Sequence, residues 1–192
     1  MPPDADLAVA DLRVRTLTPA DTLLLVEATQ AETGPALWGP RPAGPYSLAD
    51  AEAALRAWDP AGDQVSYGVL RGARLIGALA LMVDGPASAE LAYWVRPEER
   101  GHGVAVRAVQ ALTGWAHAHA GRTRIWLEIE PGNQPSLGVA RRAGYRYERR
   151  LARHCRSWTS DDPRQDEWHD CLIWTHEVGT AGEPGTAPEV QP

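Results

Sequence analysis

The residues best suited to chemistry are Arg100-Gly101-His102-Gly103-Val104-Ala105, which follow Val95-Arg96-Pro97-Glu98-Glu99. In this stretch a strand ends, a short turn follows, and glycines open a helix. The first turn of a helix has N–H groups without intrahelical partners and a partial positive charge. Gly101 and Gly103 allow an anion close to the backbone, and Arg100 adds a full positive charge with several donors. The pattern predicts a phosphate-binding turn. Two common phosphate motifs do not fit. A P-loop needs Gly-Lys-Ser/Thr, and here Val104-Ala105 follows Gly103; a dinucleotide fingerprint needs a third glycine where Val106 stands. Taken alone, the same residues also suit a plain glycine-rich helix start.

Other reactive side chains are weaker signals. His169 and Cys171 would share one strand face, with His154 and Cys155 upstream, but there is no Cys-x-x-Cys pair and the spacing matches no standard zinc site. The two cysteines are expected as small packed residues, with no disulfide framework and no metal. His117 and His119 stand two apart on a helix, cannot face one ligand together, and read as surface or helix-end residues.

The elements that must position the turn follow from periodicity. Residues 12–17 alternate as a half-buried strand does, and Thr18-Pro19-Ala20-Asp21 starts a helix. Residues 33–46, rich in Pro and Gly around Leu37-Trp38, form a loop, and Ser47-Leu48-Ala49-Asp50 opens a second helix. Strands at 64–69 and 75–83 make a hairpin with Gly72 in its turn, and 90–95 is a further strand. The helix after the glycine turn places Ala105, Val109, Leu112 and Ala116 on one face. A strand at 124–129, a short helix at 134–143 ended by Gly144, and strands at 145–156 and 167–177 complete the order. This is an α/β protein with a mixed sheet, not a regular doubly wound one.

Composition bounds the rest. At 192 residues with 44% hydrophobic and 23% charged content, the chain suits one domain over residues 11–178. The expected flanks are a flexible N-terminus at 1–10 and a disordered tail at 179–192. A net charge of −6 argues against bulk binding to nucleic acid. No stretch suits a membrane span or signal peptide, so the expectation is a cytoplasmic protein, monomer or homodimer.

Three segments carry a family resemblance. Arg100-x-x-Gly103-x-Ala105 resembles the pyrophosphate signature of the GNAT N-acetyltransferase superfamily. Asn133-Gln134-Pro135-Ser136, running on to Gly144-Tyr145 and Glu148, resembles its second signature. Glu90-Leu91-Ala92-Tyr93-Trp94-Val95 and Asp170-x-Leu172-x-Trp174 are similar to strands of the branch that acetylates ribosomal-protein N-termini, with Ala92 where that branch has glycine.

The resemblance implies a mostly antiparallel central sheet whose fourth and fifth strands splay, with helices on both faces. It implies acetyl-coenzyme A as co-substrate, its pyrophosphate on the backbone of Gly101, His102, Gly103, Val104 and Ala105 beside Arg100. The arm would lie along Trp94 and Val95, with Asn133 on its far side. Glu90 is then the expected base and Ser136 the acid or orienter for the leaving thiolate. Simpler roles for the two are a solvated strand-end carboxylate and a helix cap. Trp38, Arg41 and Tyr93 would line the acceptor site. Direct attack by an amine needs no covalent enzyme intermediate. Neutralising an amine of pKa about 10.4 at pH 7 costs about 4.6 kcal/mol, whereas an α-amine near 7.7 costs about 1 kcal/mol. The expected reaction is acetylation of a protein α-amine or similar primary amine; a small-molecule amine acetyltransferase or a non-catalytic acyl-CoA-binding module are the other readings.

Overall fold

Strict alternation of buried and open positions over Leu12–Thr16 and Arg124–Ile129 makes each a strand with one face inward. Gln64–Arg71 and Arg74–Val83 are buried almost without break, because they run through the middle of a sheet covered on both sides. The computed structural model describes residues 4–32, 44–57, 64–157 and 167–179. These form β1 (Asp6–Val9), β2 (Leu12–Thr16), α1 (Thr22–Thr29), α2 (Leu48–Ala57), β3 (Gln64–Arg71), β4 (Arg74–Val83) and β5 (Ser88–Val95). Then follow α3 (Val104–His119), β6 (Arg124–Ile129), α4 (Gln134–Arg142), β7 (Arg146–Ser157) and β8 (Glu167–Glu177).

Local chemistry explains the helix starts. The Asp21 carboxylate accepts the Thr18 N–H at 2.8 Å and is held by Arg15. Ser47 and Asp50 bond each other reciprocally, Asp50 N to Ser47 Oγ at 3.2 Å and Ser47 N to Asp50 Oδ2 at 3.0 Å. Gly144, with φ +91°, takes the left-handed turn that ends α4.

The strand order is β1-β2-β3-β4-β5-β6-β8-β7. Every neighbouring pair is antiparallel except β5 and β6, which run parallel and share only Ser88–Glu90 against Arg124–Trp126. A large core lies between the sheet and α3 and α4, built on Val109, Leu112, Leu91, Ile125, Leu127 and Trp174. A second core, with Leu17, Leu25, Ala28, Ala51, Leu55 and Leu75, lies under α1 and α2 on the opposite face.

Two expectations are corrected here. Residues 6–9, placed in a flexible N-terminus, form β1, whose Asp6 pairs with Arg15 in register and with Arg13 by a side-chain bridge at 2.7 Å. Cys155 and Cys171, expected as separate packed residues, come together: their Cα atoms are 5.9 Å apart and their sulfurs are in covalent contact. A bulge in β7 between Leu151 and Cys155 causes this, with Arg153 at φ +49° and its N–H bonded to Asp170 at 2.9 Å. The register slip could not be read from spacing. The tail 180–192 lies outside the described residues.

Candidate active site

The site begins where β5 and β6 part. Their last shared register pair is Glu90 with Trp126, after which Leu91–Val95 and Leu127–Ile129 diverge. Arg96 N–H donates to Ile76 O at 3.0 Å, on the β4 side. Alternation then turns the Trp94 backbone toward β4 and those of Leu91, Tyr93 and Val95 toward the gap. Of the two strand residues expected to offer backbone contacts, Val95 has its main chain on the gap side and Trp94 on the β4 side. The Val95 carbonyl already accepts the Arg100 Nε–H at 2.9 Å, which leaves its N–H.

At the wide end of the gap, Pro97–Glu99 forms one 3-10 turn, and Gly101 and Gly103 adopt φ +79° and +74°. A side chain other than glycine is strained at those angles. Arg107 N–H is the first to close onto the turn, bonding Gly103 O at 3.1 Å, so the donors before it face outward. His102 is exposed, Val104 is buried against the core, and Ala105 is half-buried. The turn is braced from behind. Glu99 accepts from Arg71 at 2.5 Å, Arg71 also bonds Asp11 at 2.8 Å, and Asp11 holds Arg107 of α3. Those two guanidiniums, Arg107 first, hold the Asp11 carboxyl at about 2.

Arg100 has a partner within the protein. Its guanidinium bonds the carboxylate of Glu32, which is 3% exposed at the end of the α1 segment and also accepts Trp94 Nε1–H at 2.7 Å. The bridge ties the turn to the α1 segment, and 52% of the Arg100 side chain stays exposed.

At the narrow end, the parity of β5 puts Glu90 on the α1/α2 face. Burial pushes its carboxyl up to about 7, with the nearby charges of Glu128 and Asp84 adding to the effect. Asp84 is fixed by Trp126 Nε1–H at 2.8 Å. Glu128 is also raised, by burial, against the opposing pull of His154 and His169. Glu90 makes no hydrogen bond among the described residues, leaving its carboxyl open to a ligand or water.

Tyr93 lies on the other face, packed against the α3/α4 core. Its hydroxyl oxygen is buried with no hydrogen-bond partner of good geometry among the described residues. Burial raises the phenol, and the adjacent Ser136 hydroxyl and Arg142 charge oppose it. The α4 cap is Asn133, whose Oδ1 accepts Ser136 N–H at 3.1 Å, so the Ser136 hydroxyl is not needed for capping. Tyr145 is core, bonded to Thr113 at 2.6 Å.

The fold therefore gathers Glu90, Tyr93, Val95, Ser136, Asn133 and the turn 101–105 around one gap. Trp38 and Arg41 lie outside the described residues. Sequence reasoning missed Asp84, Glu128 and Glu32. Glu128 had no local signal, because the face it shares with Glu90 follows from the register of Glu90 against Trp126. Glu32 had none, because its partner Arg100 is 68 residues away.

A family model for the acetyltransferase (GNAT) domain matches residues 11–146. No curated protein matches by sequence. Among solved structures, the ribosomal-protein-S5-alanine acetyltransferase from Vibrio fischeri superposes with TM-score 0.77 at 16% identity, covering 94% of this chain and 100% of that one. RimJ of Mycobacterium smegmatis, in complex with CoA-disulfide, gives 0.72 at 20% identity, over 94% and 90% of the two chains. A spermidine N-acetyltransferase SpeG chimera from Vibrio cholerae and hSSAT gives 0.69 at 16%, over 88% and 96%. At such identities the likeness establishes the fold alone.

Proposed function

The chain belongs to the GNAT acetyltransferase family, and on that premise we propose that it moves the acetyl group of acetyl-coenzyme A onto a primary α-amine, such as a protein N-terminus, by direct attack on the thioester.

One observation carries the choice of acceptor: Glu90, half-buried at the apex of the gap with its carboxyl pushed up to about 7. A general base works best when its pKa lies near the operating pH. An α-amine titrates near 7.7, within about one unit of Glu90, whereas a lysine-like amine near 10.4 stands more than three units away. The carboxylates of Glu90, Glu128 and Asp84 also favour an incoming ammonium group.

The parts divide by face. The outward main-chain donors of residues 101–105 bind the diphosphate. The gap-facing N–H groups of Leu91, Tyr93 and Val95 line the arm and meet the charge that grows on the thioester oxygen. The amine arrives on the α1/α2 side, where Glu90 takes its proton, directly or through one water. The departing thiolate lies on the α3/α4 side, where Ser136 or the Tyr93 hydroxyl supplies a proton. Asn133 holds the start of α4 in place beside them. The RimJ and ribosomal-protein acetyltransferase structures support this reading, as does the resemblance of Glu90–Val95 to that branch.

Thiol release from acetyl-coenzyme A tests it, across free-N-terminus peptides, N-blocked lysine peptides, spermidine and aminoglycosides. The expected result is turnover with free α-amines and little with N-blocked lysine peptides. Turnover confined to spermidine or aminoglycosides assigns a small-molecule acceptor instead, and silence across the panel assigns a binding module.

A further inference from the structure

Beyond the gap, on the same face as Glu90, three side chains converge from two strands. In β8, His169 and Cys171 are two residues apart and share a face; in β7, Cys155 is the register partner of His169. Donor atoms of Cys155, His169 and Cys171 all lie within 4.8 Å of one another. Cys171 is fully buried and the other two are half-buried. We propose that in the reduced protein these residues bind one zinc-like divalent cation, which clamps the bulged β7–β8 hairpin beside the acceptor pocket.

The argument rests on what a sulfur pair alone leaves unexplained. Two cysteines 5.9 Å apart at Cα suffice for an oxidised pair. They need neither an imidazole nor a carboxylate. Here the His169 imidazole closes on the sulfurs, and its Nε2 faces the Glu130 carboxylate at 3.7 Å. A histidine that ligates a metal commonly has such a carboxylate behind it, which orients the ring. Cys155 Sγ also lies 2.8 Å from Glu128 Oε1, which sets a carboxylate beside the fourth coordination position. Two thiolates and one imidazole form a borderline-soft set that suits tetrahedral zinc and excludes calcium or magnesium. The cation displaces the two thiol protons to solvent, and no electron changes hands. The bulge between Leu151 and Cys155 then has a use. Without the two extra residues Cys155 would pair opposite Glu167 rather than His169, further along the hairpin from Cys171.

The test uses the full chain, without an affinity tag, purified under thiol reductant. Elemental analysis should find about one zinc per chain. Cobalt exchanged for zinc should give thiolate-to-cobalt charge-transfer absorption. Cys155→Ser and His169→Ala should each abolish that band. Glu130→Gln, which leaves all three ligands in place, should weaken zinc binding about 10–100-fold. Cys171→Ser is not used, since Cys171 is fully buried in the core. The proposal is overturned if the reduced protein binds neither zinc nor cobalt while both thiols react with a thiol reagent. It is equally overturned if mass analysis shows the sulfurs still bonded to each other under reductant.

Discussion

Glu90 stands opposite Trp126 at the last position where β5 and β6 pair. One residue further on, the strands separate, so the carboxyl occupies the apex of the gap. Trp126 fixes Asp84, and Asp84 and Glu128 bring negative charge to Glu90. The sheet geometry and the electrostatics meet at that one pair.

Replacing Glu90 by Gln should lower kcat/KM for an α-amine about 100-fold or more and leave coenzyme A affinity unchanged. Because the base acts when ionised, wild-type rates should rise through a pH near 7. The variant should lose that limb and keep only the rise near 7.7 set by the amine itself. A pH–rate profile checks this, and an unchanged limb in Glu90→Gln would assign the base elsewhere.

The same substitution should stabilise the fold at high pH. The folded carboxyl titrates at about 7, above its ordinary 4.5. The burial penalty is absent below 4.5, grows as pH rises to 7, and stays constant above that. Each unit is worth about 1.4 kcal/mol, so Glu90→Gln should gain up to about 3 kcal/mol at pH 8 and nothing at pH 4. Urea titrations at the two pH values read this directly.

Gly103→Glu should abolish coenzyme A binding. It introduces negative charge at the anion site and forces a non-glycine residue to φ +74°. Gly103→Ala keeps the site neutral, meets open space at Cβ, and should retain measurable binding. Calorimetry on the two variants separates charge from backbone strain.

The Tyr93 hydroxyl is buried with no hydrogen-bond partner of good geometry among the described residues, so Tyr93→Phe should leave stability unchanged or slightly higher. If that hydroxyl protonates the departing thiolate together with Ser136, turnover should still fall about tenfold or more. The Tyr93→Phe/Ser136→Ala double variant should lose less than the product of the two single losses, since the pair acts as a unit.

Glu32→Ala should cost about 1–3 kcal/mol, because it strips the acceptor from the Trp94 indole and the Arg100 guanidinium. Thermal unfolding measures it. A loss near zero would mean that water replaces the carboxylate without penalty.

The sequence carried much of this architecture, for identifiable reasons. Residues 124–129 and 104–119 have clean periods of two and 3.6, and both appear as a strand and a helix in the expected order. The glycine turn was legible because positive φ requires glycine at 101 and 103. Long-range side-chain partners were not legible. The Glu32–Arg100 bridge, the bulge that delivers Cys155 to Cys171, and the shared face of Glu90 and Glu128 depend on register between strands. No local pattern encodes that register. Trp94 shows the same limit: which way its backbone points follows from its pairing with Ala78, not from its own segment.

The most direct measurement is a crystal structure with coenzyme A bound. It should show diphosphate oxygens about 2.7–3.2 Å from main-chain nitrogens of residues 101–105, with the arm along Tyr93 and Val95 and the sulfur between Glu90 and Tyr93. A ligand held elsewhere, or a gap between β5 and β6 closed to the arm, would contradict the account.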